Sequence, residues 1–325
     1  MDKKIPRIDL HCHLDGSLSV KSIYDNLKNV GCNYSVEDVI RPCTVSKDCN
    51  SLTEYLTKFD LPIRSMYDYE STKAAAKDFM LSLVEDNIVY VETRFAPSLV
   101  AKDGFSERKV LEAVIDGIKE GSNLTGIYGN IIICAMRHHS IEKNIKSFKL
   151  AKEYIRCGVC GVDLAGDENF YPTADFADLF RYAKGLGLNI TIHAGECHSG
   201  QSIVDAANMG AARIGHGIAM SGNEKIQQLC RNKKIGIEMC PISNYQTSAV
   251  KAGEHYPFKE FMDNDLIVTI NTDNRTVSGT TIQNEIDFLR TKYDITKETE
   301  VKLFKNSVDV CFASDDIKNS LLKKL

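Results

Sequence analysis

The sequence predicts an α/β protein whose parallel strands close into a (β/α)8 barrel, the TIM barrel, and three observations carry that prediction. Short apolar runs recur through the 325 residues with helical patterns between them, the alternation a parallel sheet needs. Eight such runs are present, which is the barrel's strand count. No GxGxxG opens a helix after the first run, so the doubly wound dinucleotide-binding sheet lacks its marker.

In chain order the expected strands are Ile5–Leu10, Ile88–Phe95, Asn130–Met136, Val159–Leu164, Asn189–Ile192, Ala212–Gly215, Ile235–Met239 and Leu266–Ile270. Residues 14–86 are too many for one crossover. They carry helical patterns over Leu52–Phe59 and Glu70–Glu85, and are expected to be a helical insertion covering the barrel mouth. Its residues Tyr55, Phe59, Met66 and Phe79 are candidates for a pocket wall. A helix over Ser106–Asn123 opens on a capping serine followed by Glu107. The next, Ile141–Arg156, sets Ile145, Phe148, Ala151, Lys152 and Ile155 on one face. Thr296–Leu325 is expected to close the chain with two or three extra helices, one starting at Ser314 ahead of Asp315 and Asp316. No linker, repeat or charge run divides the chain, so one domain is expected over residues 1–325.

Composition excludes several function classes. Hydrophobic residues are 43% and charged residues 26%, a balance that supports a packed core rather than disorder. With 40 Lys+Arg against 44 Asp+Glu, there is no global basic field for nucleic acid. The longest apolar run, Ile131–Met136, is far too short for a bilayer. The lysines near the N-terminus have no apolar stretch behind them, so no secretory signal is expected and the cytoplasm is the expected compartment. Eleven cysteines, an odd number, then suggest reduced thiols. The one CxxC, Cys157–Cys160, lacks the second pair a zinc ribbon needs and is better explained by strand packing.

The histidines carry the chemistry. His11 and His13 end the first expected strand, and a period of two puts both imidazoles on one face. His193 ends the fifth, His216 the sixth and Asp273 the eighth. Any one of these alone is usually a turn or packing residue. In a barrel all of them fall at the C-terminal mouth, where the fold builds its sites. Such a set of imidazoles with one carboxylate suits Zn²⁺, with Fe²⁺ or Co²⁺ also compatible; Mg²⁺ and Ca²⁺ prefer oxygen shells. The fourth expected strand has no lysine to bridge a second metal, so a single ion is expected.

Taken together, His11-Cys-His13-Leu-Asp15-Gly, Asp163-Leu-Ala-Gly166-Asp-Glu168, His193-Ala-Gly-Glu196, Arg213-Ile-Gly-His216-Gly and Asn271-Thr-Asp273 resemble the adenosine deaminase family over nearly the whole chain, in the family's order. The resemblance implies zinc-dependent hydrolysis of adenosine, and of 2′-deoxyadenosine, to inosine and ammonia in purine salvage. It implies one Zn²⁺ on His11, His13, His193 and Asp273. Glu196 would protonate purine N1, which requires burial to hold its carboxyl neutral. His216 would hydrogen-bond the attacking water and help deprotonate it. His13 and Asp15 would contact the substrate, Asp15 at a ribose hydroxyl, and the Gly166 N–H would face N3. Where many members have Asp-Asp-Pro, this chain has Asp273-Asn274-Arg275; Asn274 would then donate an amide hydrogen to N7 at any pH.

Three alternatives compete. A deaminase of adenine or of an adenosine-like metabolite shares the chemistry; Asp15 speaks for a sugar and against a 5′-phosphate. A catalytically silent nucleoside binder would have lost a ligand or the proton donor, and all are present. Cytidine-type zinc deaminases need HxE and PCxxC, and neither occurs.

Overall fold

The computed structural model describes residues 5–46, 48–49, 51–197 and 199–325; residues 1–4, which include the N-terminal lysines weighed above, lie outside them. Among the described residues eight strands occur: β1 (Arg7–His13), β2 (Ile88–Phe95), β3 (Tyr128–Met136), β4 (Val159–Ala165), β5 (Thr191–Ala194), β6 (Arg213–His216), β7 (Gly236–Met239) and β8 (Ile267–Ile270). They pair in parallel in the orders β1-β2-β3-β4 and β5-β6-β7-β8. Both seams are bridged. Val162 of β4 pairs with Ile190 just ahead of β5, and Cys12 of β1 pairs with Asp273 just past β8. The second seam is held by His13 N–H to Asp273 C=O at 2.6 Å and Asp273 N–H to His11 C=O at 2.8 Å. The eight strands thus close on themselves, as a barrel must.

Strand ends depart from the apolar runs in a consistent direction. β1 runs to His13 rather than Leu10, β5 to Ala194 rather than Ile192, and β6 to His216 rather than Gly215. The extra residues are polar or small, yet their backbones stay in the ladder. Asn189 is outside β5 but still seals the first seam: its C=O accepts from Val162 and its side chain donates to Cys160 C=O.

The insertion between β1 and β2 consists of helices Val20–Asn29, Val36–Cys43, Leu52–Leu56, Asp60–Ser65 and Tyr69–Ser82. The expected Leu52–Phe59 helix is an α-turn that tightens to 3₁₀ over Thr57–Phe59. Tyr69–Ser82 starts at Asp68, which forms a reciprocal capping box with Ser71. This last helix does not lie over the mouth. It packs against Glu107–Thr125 so closely that a Cβ on Gly117 or Gly121 would meet Lys73 C=O or Met80 Cβ at 2.4 Å. Accordingly Met66 and Phe79 belong to the main core, whereas Tyr55 and Phe59 border the central cavity.

The Ile141 helix stops at Glu153, short of Arg156. The C-terminal segment forms two helices, Lys297–Val310 and Asp315–Leu322; Ser314 begins the second, though its side chain makes no capping bond. Cys160 is buried in β4, Cys157 is exposed, and both thiols are unpaired. No helix among the described residues is long and apolar enough to cross a membrane.

Inside the ring the filling is ionic. Arg94 of β2 reaches Asp163 of β4 and Glu238 of β7, each at 2.9 Å. Arg213 of β6 reaches Glu238 at 2.5 Å and Glu92 of β2 at 2.6 Å. All five side chains are fully buried. Beneath them Phe312, between the two last helices, lies 3.7 Å under the Arg213 guanidinium and donates its N–H to Glu92. Charges taken this far from water persist only when paired, and every carboxylate here is.

Candidate active site

Side chains at the C-terminal strand ends converge above that ionic layer. Ligand-type atoms of His11, His193, His216 and Asp273 all lie within 4.8 Å of one another, and all four residues are buried. His13 joins them, its Nε2 3.1 Å from His193 Nε2 and 3.5 Å from Asp273 Oδ1. Each of the five strand-end residues expected from the sequence is therefore in one cluster.

Carboxylates below fix two of the imidazoles. His11 Nδ1 lies 2.8 Å from Glu238 Oε2, and His193 Nδ1 lies 2.9 Å from Asp163 Oδ2. A ring nitrogen facing a carboxylate carries the hydrogen, so each Nε2 turns a lone pair upward. His11 Nε2 is buried with no hydrogen-bond partner, 3.4 Å from Asp273 Oδ1. Lone pairs aimed together beside a carboxylate repel unless a cation lies among them. The donor set therefore fits a transition metal with nitrogen and oxygen ligands. Burial works against the charge on Asp163, but His193 and Arg94 outweigh it and hold its carboxyl far below the usual range. Asp273 is held low in the same way against its burial, chiefly by His11. Its Oδ2 also accepts from Ser243 at 2.5 Å.

Two of these residues occupy backbone conformations that side chains seldom adopt. His216 has φ 65° and Asp273 φ 58°, in the left-handed region. His216 ends β6, whereas Asp273 lies three residues past the end of β8 rather than on it; both turn their side chains into the cluster. His216 Nδ1 is 2.9 Å from Asn244 Nδ2, and its Nε2 is 3.6 Å from Glu196 Oε2.

Glu196 is placed by Glu168. The Glu168 carboxylate accepts the N–H groups of Gly195, Glu196 and Cys197 at 2.9 to 3.0 Å, so one motif holds the loop that carries the other. Gly195, at φ 73°, makes the turn; a Cβ there would also meet Ile203 at 2.5 Å. Burial pushes the Glu196 carboxyl up to about 8, with Asp273 and Glu168 adding to the rise.

A cavity of about 410 Å³ opens over the cluster. It is bordered by His13, Asp15, Gly166, His193, Glu196, His216, Asp273 and Asn274, with His11 lying beneath. Gly166 has φ 108°, and a Cβ there would meet nothing closer than 3.5 Å. Its glycine answers to the backbone and not to space. Asp15 is no helix cap, since Ser19 caps Val20–Asn29. Burial raises its carboxyl to about 7, the Gly16 N–H working against the rise. Asn274 is not a cap either: the helix after β8 begins at Ile282 and is capped by Thr281.

The sequence did not point to Arg94, Glu238, Ser243 or Asn244 as parts of the site. Arg94 and Glu238 are charges inside otherwise apolar strand runs, a signal that was present. Ser243 and Asn244, on the short helix Pro241–Gln246 after β7, left no comparable mark.

The model of the family described as adenosine deaminase matches residues 6–325. An adenosine deaminase of Enterococcus faecalis is 37% identical over 99% of this chain and 96% of its own length. One from Clostridium botulinum is 38% identical over 99% of this chain and 98% of its own. Among solved structures, the Arabidopsis N6-mAMP deaminase superposes with a TM-score of 0.88 at 26% identity, covering 99% of this chain and 97% of that one. With a buried His/Asp cluster at the strand ends and family-wide similarity from one end of the barrel to the other, the chain belongs to the adenosine deaminase family of metal-dependent hydrolases.

Proposed function

We propose that the protein, working as one domain, hydrolyses adenosine and 2′-deoxyadenosine to inosine and ammonia in purine salvage, with one Zn²⁺ held by His11, His13, His193 and Asp273. One observation carries the reading: a buried carboxyl raised to about 8, that of Glu196, faces His216 across 3.6 Å at the edge of the imidazole cluster. A neutral carboxyl beside a metal cluster is what proton delivery to a ring nitrogen needs at neutral pH.

When bound, the ion supplies the Lewis acidity that makes water a nucleophile at neutral pH. The protein's own groups do the rest. Glu196 gives its proton to N1 as the water oxygen bonds to C6 and the C6–N1 π pair moves onto N1. The C6–N6 bond then breaks. Of water's two protons, one leaves with the amine as ammonia and the other restores Glu196. His216 hydrogen-bonds the attacking oxygen. Asp15 binds a ribose hydroxyl, His13 borders the same end, and the Gly166 N–H meets N3. Asn274 turns its amide oxygen against Gly16, which leaves the amide nitrogen for N7.

The cavity lining favours a nucleoside over a nucleotide. Asp15, Asp60 and Asp167 border it, and among the described residues no lysine or arginine does. A 5′-phosphate would meet carboxylates without a compensating cation. The test is ammonia release from adenosine, 2′-deoxyadenosine, adenine and AMP, with metal analysis of the same sample. Adenosine should be the best substrate, with one equivalent of zinc. Preference for adenine or AMP, or two required metals, would overturn the proposal.

A further inference from the structure

The phenolic hydroxyl of Tyr256 is buried and donates to Asn244 Oδ1 at 2.9 Å. The other end of that amide, Nδ2, lies 2.9 Å from His216 Nδ1. These two contacts settle which atom carries the imidazole hydrogen. An amide nitrogen only donates, so Nδ1 has to be the acceptor, and the hydrogen of a neutral imidazole must sit on Nε2. Turning the amide over would set NH₂ against the phenol and C=O against the ring. The tyrosine hydroxyl would then lose the one acceptor found for it among the described residues, a deficit that buried donors rarely carry. Nothing in the surroundings invites the flip. Asn244 is fully buried, with its own N–H bonded to Cys240 C=O. Tyr256 is held by Tyr293 O–H on its backbone carbonyl and by Phe288 set edge-on to its ring.

We infer that Asn244, fixed in orientation by Tyr256, is a positioning residue that holds His216 as the Nε2–H tautomer, making it a hydrogen-bond donor to the reacting oxygen and not a base that takes water's proton. The inference rests on the deaminase reading for the identity of that oxygen. It has two consequences. The base role suggested by the family resemblance needs a lone pair at Nε2, which this tautomer does not offer. The same hydrogen bars Nε2 from a metal. His216 therefore stays out of the ligand set although its ring lies 4.8 Å from that of His11, and His13 completes it.

The test is long-range ¹H–¹⁵N correlation on the zinc-loaded protein with labelled histidine, the His216 signal assigned from its loss in His216→Ala. The expected pattern is an unprotonated Nδ1 and a protonated Nε2. Hydrogen on Nδ1 instead, or on both nitrogens, overturns the inference. Asn244→Asp, which is isosteric, places a carboxylate against Nδ1 and should invert the pattern. Loss of the donor should then lower kcat about a hundredfold with KM unchanged. An inverted tautomer that turns over as fast as the parent, or faster, would restore the base role. Tyr256→Phe frees the amide to turn and should give a mixture of both patterns; a pattern identical to the parent's would show that Tyr256 does not set the orientation. The spectrum needs no substrate, so a parent that shows the expected tautomer but releases no ammonia from adenosine would sink the deaminase reading alone.

Discussion

The amide of Asn274 stands where a side chain on Gly16 would be: a Cβ added to Gly16 would lie 1.8 Å from Asn274 Oδ1 and 2.6 Å from its Cγ. In the proposed binding mode the glycine after Asp15 shapes the purine site without presenting any functional group. Gly16→Ala should push Asn274 out of place while leaving the metal cluster intact. The expected loss is about 1 to 3 kcal/mol of transition-state binding, the worth of a buried donor left without its partner. It should appear in kcat/KM for adenosine, and much less for the 7-deaza analogue. Equal losses on both substrates would detach Asn274 from N7.

Activity should fall as pH rises through about 8. In the proposed mechanism Glu196 works as the neutral acid, and its raised carboxyl loses the proton above that point. The profile of kcat/KM should therefore carry a descending alkaline limb. Glu196→Gln should lose about two to four orders of magnitude in rate while retaining zinc, and its residual activity should lack the limb. A parent profile flat from pH 7 to 9 would contradict the assignment.

Arg94 holds Asp163 and Glu238, and those two carboxylates orient His193 and His11. Arg94→Met should leave buried Asp163 without its guanidinium and Glu238 with Arg213 as its remaining one, at a cost of about 3 to 5 kcal/mol in stability. It should also speed zinc loss to a chelator, because the imidazoles lose their orienting partners. Denaturant titration and chelator kinetics measure the two effects separately. Unchanged zinc release in a destabilised variant would confine Arg94 to folding.

Glu285 is buried away from the cavity, accepting from Ile242 N–H at 3.0 Å and from Thr280 O–H at 2.8 Å. Burial raises its carboxyl from 4.5 to about 8. Between those values the folded chain keeps a proton that the unfolded chain has released, so each step up in pH favours unfolding. Glu285→Gln removes that dependence and keeps one acceptor and one donor in place. Melting curves at pH 5 and pH 8 should show Tm of the variant, relative to the parent, moving upward with pH. A constant difference would mean the group is ionised in the fold.

The barrel was legible because its strands are apolar runs, and their limits were misjudged where function intervenes. His13, His193 and His216 each extend a strand beyond its apolar run, since a side chain that joins the cluster must stand at the strand end with its backbone still in the ladder. The cluster itself was visible because the fold gathers all strand ends at one mouth. Asn244 and Ser243 were not, because they reach His216 and Asp273 through packing of a helix that has no pattern of its own. The insertion divided for a similar reason. Periodicity shows that Tyr69–Ser82 is a helix, but only the close approach at Gly117 and Gly121 shows that it packs on the barrel's flank.

The seam between β1 and the end of β8 joins the two ends of the ring, with Leu10 N–H bonded to the Asn271 side chain, 261 positions away, and His13 N–H to the Asp273 carbonyl. The ring therefore closes through the very segments that bear His11, His13 and Asp273 of the cluster. A ribosome-bound chain presents His11 and His13 early, yet they lack the Asp273 carboxylate, just past β8, until nearly the whole polypeptide has emerged. Such distant pairing is slow to form, and here it coincides with completion of the metal site. Metal capture should accordingly mark the end of folding, and a chain released before Asp273 should neither close nor retain the ion.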